Sequence, residues 1–251
     1  MPHAKNPLII GNWKMNGLRK AGQALARGIV QSRKQGRAAV DLVLCPPATL
    51  LGTIGEILAG SGIFLGAQDC HQKKTGAHTG DVSADMLADI GCRFVILGHS
   101  ERREGHGESD RDVAAKVVAA HAAGLIAIVC VGESAAERDA GAALDVIEAQ
   151  LMASLPEGSK AEKTVIAYEP LWAIGSGRTP TADEIKVVHE RIRANLGKSF
   201  GPAQAFRILY GGSVMAANAA AILSIPGVNG ALIGGASLNV EAFCEIAESC
   251  G

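Results

Sequence analysis

Glu169 opens the stretch Glu169-Pro170-Leu171-Trp172-Ala173-Ile174-Gly175-Ser176-Gly177, where a carboxylate, an apolar run and a glycine-rich bend share one short segment. Apolar residues normally enter a core, whereas glycine and proline normally mark surface loops. Either this loop is packed down permanently, or it packs only part of the time. In the second case an apolar lid closing beside Glu169 strips water from the carboxylate and favours its use as a base. The plainer alternative is a strand-end carboxylate on the surface, with Pro170 holding its backbone extended. Asn12 and Lys14 flank Trp13; if that stretch is extended, alternation puts both on one side, where an ammonium can stabilise an oxyanion and a phosphate. A solvated surface lysine is the competing reading. His99 precedes Ser100-Glu101-Arg102-Arg103, which reads as a turn entering a short helix. The positive helix end disfavours imidazolium and keeps the ring a neutral hydrogen-bond donor. Gly211-Gly212-Ser213 and Gly234-Gly235 can bring bare backbone N–H groups against an anion, unless they are only tight turns.

Side chains this far apart in sequence need a scaffold that gathers them. Eight short β-type runs are legible: Leu8–Ile10, Val40–Leu44, Ile63–Ala67, Phe94–Leu97, Ile126–Val131, Thr164–Tyr168, Arg207–Tyr210 and Ala231–Ile233. Most are continuously apolar, as strands covered on both faces should be. Helical patterns lie between them. Leu18, Ala21, Leu25 and Ile29 mark one apolar face ending near Gly36; Ile185, Val188, Ile192 and Leu196 mark another ending at Gly197. Ser134 with Glu137 and Thr181 with Glu184 spell capping boxes. Strand then helix, eight times and without a linker, predicts a single (β/α)8 barrel domain over residues 1–251. A doubly wound open sheet is the rival; the count of eight and the lack of an early GxGxxG favour the barrel. Active sites of such barrels form at the carboxyl ends of the strands, where the chemistry-bearing residues all fall.

Composition narrows the partners. The 251 residues are 48% hydrophobic and carry a net charge of -1, which gives no footprint for nucleic acid or an anionic membrane. Any phosphate preference must come from local geometry. Six cysteines without a CxxC pair argue against a zinc ribbon or disulfide framework and fit a reducing compartment. The lead MPHAKNP lacks a basic-then-apolar signal and no apolar run reaches membrane-spanning length, so a cytoplasmic protein is expected. Cys70, His71 and His78 lack a fourth ligand at a recognised spacing, and no metal is expected. Cys130 packs inside without acting as a nucleophile, and His3, His106, His121 and His189 need only surface or helix placement.

Read in order, GNWKMN, GHSERR, CVGE, YEPLWAIGSGRT, LYGGSV and IGG resemble the triosephosphate isomerase family across essentially the whole chain. The resemblance implies that Glu169 takes a proton from the carbon beside a carbonyl and that His99 polarises that carbonyl. It makes Asn12 and Lys14 substrate contacts with Glu101 behind Lys14, and it gives phosphate to Ser213, Gly234, Gly235 and, once the lid closes, the Gly175 amide. Trp172 and Ile174 become the lid's apolar anchors. The implied reaction interconverts dihydroxyacetone phosphate and D-glyceraldehyde 3-phosphate through an enediolate, without a cofactor, within glycolysis and gluconeogenesis. The resemblance also implies a homodimer in which the loop HQKKTGAHTGDVS enters a second subunit, Thr79 supporting the partner's site. Three departures stand out: Arg178-Thr179-Pro180 where the family more often has Lys-Thr-Ala, AQDC for Ala-Gln-Asn, and His78 where an aromatic is common. A class I aldolase with Lys14 as Schiff base, and a noncatalytic metabolite- or protein-binding barrel, are the competing functions.

Overall fold

A computed structural model describes residues 6–174 and 178–250. Its eight strands are β1 (Leu8–Asn12), β2 (Asp41–Cys45), β3 (Ile63–Ala67), β4 (Phe94–Leu97), β5 (Ile126–Val131), β6 (Thr164–Tyr168), β7 (Arg207–Tyr210) and β8 (Gly230–Ile233). All neighbours pair in parallel, and β8 returns to β1 with Leu8 opposite Gly230, closing the barrel. Around it run α1 (Arg19–Arg33), α2 (Leu51–Leu58), α3 (Ala84–Asp89), α4 (Ser100–His106), α5 (Asp110–Ala122), α6 (Ala135–Asp139), α7 (Ala143–Ser154), α8 (Ala182–Ser199), α9 (Ala216–Leu223) and α10 (Val240–Glu248).

Strand alternation divides the apolar residues between two cores. Leu8, Ile10, Val43, Ile96, Ile128, Cys130, Val165, Leu209 and Leu232 fill the barrel interior. Their neighbours Ile9, Leu42, Leu44, Val95, Val129, Ile166, Ile208 and Ile233 face outward against the helices. Both faces are therefore dry, which is why the runs read as continuous apolar stretches. At the seam Gly230 has φ 138°, and a Cβ there would collide with the Leu8 carbonyl oxygen. Glycine is what lets the last strand reach the first.

The sequence reading needs correction at several strand bounds and in two helices. The strand starting at Val40 begins at Asp41, β1 continues to Asn12, and β8 starts at Gly230. The face assigned to α1 is rotated: Leu18 is 83% exposed, and the buried positions are Gly22, Ala26 and Ile29. A Cβ at Gly22 would press on Leu50 Cδ1 and Trp13, so small residues, Gly22 and Ala26, stand beside Ile29 on the contact face. The other pattern is right in phase, with Ile185, Val188, Ile192 and Leu196 buried, but α8 runs past Gly197 to Ser199. Both capping boxes form, at Ser134–Glu137 and Thr181–Glu184.

Candidate active site

Beyond the carboxyl ends of the strands lies a cavity of about 340 Å³. Asn12, Lys14, His99, Glu169, Ile174, Ser213, Gly234 and Gly235 all line it. Those contributions come from the ends of β1, β4, β6, β7 and β8, so barrel closure alone gathers them. Gly175 and the lid tip through Gly177, like His3, lie outside the described residues.

Lys14 does not follow the extended path expected of it. It is, among the described residues, the one non-glycine with positive φ, at 52°. The kink is held by two contacts: the Lys14 N–H donates to Asn12 Oδ1 at 3.0 Å, and Gln68 Nε2 donates to the Lys14 carbonyl at 2.8 Å. A left-handed non-glycine residue costs on the order of 1–3 kcal/mol, which marks a position the surroundings over-determine. Lys14 and Asn12 thus share the cavity through a bend rather than through strand alternation. The Lys14 ammonium pairs with Glu101 Oε1 at 2.5 Å, the partner anticipated from the sequence.

The histidine sits where α4 begins. His99 caps the helix by accepting the Glu101 N–H on Nδ1 at 3.2 Å. With that lone pair engaged, the ring's proton belongs on Nε2, which meets Glu169 Oε1 at 2.9 Å. Glu169 Oε2 accepts the Ser100 N–H at 2.9 Å, so the first turn of α4 holds both residues. His99 and Glu169 are 7% and 2% exposed, dry enough for each hydrogen bond to matter. Burial lowers the His99 pKa, but the facing Glu169 carboxylate outweighs it and moves the net value up from 6.5. This differs from the expectation that the helix end alone governs the ring. The Glu101 carboxylate adds to the same upward influence, while Lys14 opposes it.

The apolar run after Pro170 is packed at Trp172 and Ala173. Trp172 is 9% exposed, and its Nε1–H donates to Glu133 Oε1 at 2.8 Å. Tyr168 and Arg138 also reach that oxygen, at 3.1 and 3.0 Å, and the Arg138 guanidinium lies 4.4 Å from the Trp172 ring centroid. Ser213 Oγ donates to the Ala173 carbonyl at 3.1 Å, linking the loop after β7 to the lid. Glu133 is fully buried, and the sequence reading gave it no role although it is the last letter of CVGE.

A second missed group steadies α4 from below. Arg102 meets Asp69 at 3.0 Å and Glu108 at 3.2 Å, and Lys116 meets Asp69 at 2.8 Å and also contacts Glu108. Asp69 is the unusual residue of AQDC, and here it joins β3's end to α4 and α5. Cys130 behaves as expected: it is fully buried, and burial together with Glu169 pushes its thiol pKa well above 9, leaving no thiolate for nucleophilic work. Two histidines set aside earlier do have partners. His189 Nδ1 lies 3.3 Å from the Gly227 carbonyl, and His121 Nε2 lies 2.9 Å from that of Lys163. Cys70, His71 and His78, set aside as a metal site, do not cluster: Cys70 is buried at 2% exposure, while Asp81 joins the two histidines.

This arrangement recurs in known proteins. The family model described as triosephosphate isomerase matches residues 7–250. A triosephosphate isomerase of Afipia carboxidovorans is 53% identical over 251 residues, covering all of both chains. One from Rhodopseudomonas palustris is 54% identical over 253 residues, again with full coverage. The crystal structure of triosephosphate isomerase from Bartonella henselae superposes with a TM-score of 0.90 at 44% identity, covering 97% of this chain and 98% of that one. Nothing among these relatives supports the aldolase alternative. With a closed eight-stranded barrel, a site gathered at its carboxyl end and relatives matched from end to end, the chain belongs to the triosephosphate isomerase family.

Proposed function

We infer that this chain is an isomerase interconverting dihydroxyacetone phosphate and D-glyceraldehyde 3-phosphate, its whole length acting as one catalytic domain. The observation that carries the residue roles is the pairing of Glu169 with the Nε2–H of His99 at the wall of a cavity that also holds Lys14 and Asn12. Glu169 leaves His99 and Ser100, turns to the substrate and removes the proton from the carbon beside the carbonyl. The released electron pair forms a carbon–carbon double bond and sends charge to the carbonyl oxygen. His99, its Nε2–H now free of the carboxylate, donates to that oxygen, with Asn12 and the Lys14 ammonium beside it. Glu169 then returns the proton to the neighbouring carbon while His99 moves a proton between the two oxygens. Carbon is neither oxidised nor reduced overall, so the reaction needs no nicotinamide.

Ser213, Gly234 and Gly235 hold the phosphate, joined by Gly175 on lid closure. Closure matters because an enediolate phosphate left in water can expel its phosphate. Among the described residues no helix is long and apolar enough to cross a membrane. A cytoplasmic homodimer, with residues 71–83 reaching into the second copy, is part of the same reading; sedimentation at assay concentration tests the dimer.

Borohydride treatment with dihydroxyacetone phosphate, alongside an isomerase assay, tests the activity. Rapid aldehyde formation without a trapped lysine adduct is expected. A covalent adduct at Lys14, with aldol cleavage of a ketose bisphosphate, would contradict the isomerase and restore the aldolase.

A further inference from the structure

Residues 71–83 form a loop whose neck is closed by the backbone. The His71 N–H donates to the Val82 carbonyl at 2.8 Å, and His71 bridges Ser83 in parallel fashion. Inside the loop a tight turn brings the Asp81 N–H to the His78 carbonyl at 3.1 Å, after the His78 N–H has bonded Gly76 at 3.0 Å. His71 at the neck therefore faces Asp81, and His78 is folded back beside them. The two imidazole rings lie against each other with centroids 4.1 Å apart. One donor atom from each of His71, His78 and Asp81 falls within 4.8 Å of the other two. His71 Nε2 and Asp81 Oδ2 are already 3.7 Å apart. Two ligands on a tetrahedral ion with bonds of about 2.0 Å stand about 3.3 Å apart, so modest rotamer changes complete the coordination.

We propose that His71, His78 and Asp81 bind a single divalent transition ion of the zinc, nickel or copper class. Two imidazoles with one carboxylate suit these ions, whereas calcium and magnesium prefer all-oxygen cages. All three ligands come from one chain, so the site needs no second copy to be complete. His71 and Asp81 also line a cavity of about 480 Å³ that extends to Asn12, Lys14 and His99. The ion therefore sits beside the active-site region, in the loop that the proposed dimer sends into the second copy. Binding through Nε2 of His71 moves the ring proton to Nδ1 and releases the Lys73 N–H that bonds Nδ1 at 3.0 Å. The ion thereby trades one local hydrogen bond for a tie across the loop.

The site was invisible to a search for spaced cysteines and histidines because its third ligand is Asp81, ten residues beyond His71. Isothermal titration of the chelator-treated full chain with Ni²⁺ is the direct test, paired with EPR of a Cu²⁺ adduct. Wild type is expected to bind one ion per chain, with two nitrogen ligands in the EPR spectrum and a rise in Tm at saturating metal. His78→Phe, which keeps an aromatic at that position, and Asp81→Asn should each weaken binding at least about 10-fold. Circular dichroism without metal checks that both variants fold. Absence of stoichiometric binding to wild type overturns the proposal. Binding that survives both substitutions also overturns it, since the ion then resides elsewhere, for instance at Cys244 or Cys250.

Discussion

Lys14 shows how much a single residue can be asked to do. Its backbone is in a region that favours glycine, yet its ammonium must stand at the cavity, so Asn12 and Gln68 clamp the kink from both sides. Lys14→Met keeps the stem but removes the charge, and kcat/KM is expected to fall by at least about 10²–10³-fold, the effect of losing one preorganised stabiliser of the oxyanion. Steady-state kinetics check this, with the fold controlled by circular dichroism. Nothing in GNWKMN announces a left-handed lysine, because positive φ leaves no trace in residue type unless glycine or asparagine occupies the position. The place of Lys14 at the cavity was legible while its backbone geometry was not. His189 makes a different prediction. Burial lowers its pKa from 6.5 to about 4, so the folded protein keeps the ring neutral while the unfolded chain takes up a proton. The resulting stability is fully present above pH 6.5 and is lost as pH falls toward 4; by pH 5 the loss is roughly 2 kcal/mol. Urea unfolding at pH 7 and pH 5 should show a smaller drop in His189→Gln than in wild type.

Strands and helices were the most readable level. A strand dry on both faces must be apolar throughout, and such runs located all eight strands to within two residues. The helix α1 was read correctly at Ile29 but otherwise misread, because hydrophobic periodicity rewards bulky residues, whereas its inner face also carries Gly22, with Leu50 and Trp13 close by, and Ala26. The caps were legible because they rest on side chains at fixed spacing. Thr181→Ala removes the oxygen that accepts the Glu184 N–H and should cost α8 about 1 kcal/mol, measured by chemical denaturation. Gly132 joins element to site. A Cβ there would strike the Glu169 carbonyl, since the ends of β5 and β6 run side by side. Gly132→Ala should therefore displace Glu169 and lower kcat more than it raises KM, while a mere loss of stability would leave kcat per folded molecule unchanged. Glu133, one position on, was readable only as a motif letter: its value lies in collecting Tyr168, Trp172 and Arg138, which are distant in sequence.

For the molecule as a whole, barrel closure turns residues 12, 14, 99, 169, 213, 234 and 235 into neighbours. The sequence could point to each of them because each follows a strand, but it could not supply the contact between Glu169 and His99, which depends on α4 beginning at Ser100. In this structure Glu169 rests on His99 at the cavity wall. The central claim is that Glu169 exchanges the proton on the carbon beside the carbonyl. Solvent-deuterium uptake at that carbon of dihydroxyacetone phosphate, compared between wild type and Glu169→Gln, tests it most directly. The account predicts deuterium incorporation accompanied by aldehyde formation in wild type, with both collapsing together in the variant. Isomerisation that persists undiminished in Glu169→Gln, or a wild type that neither exchanges nor isomerises, would contradict it.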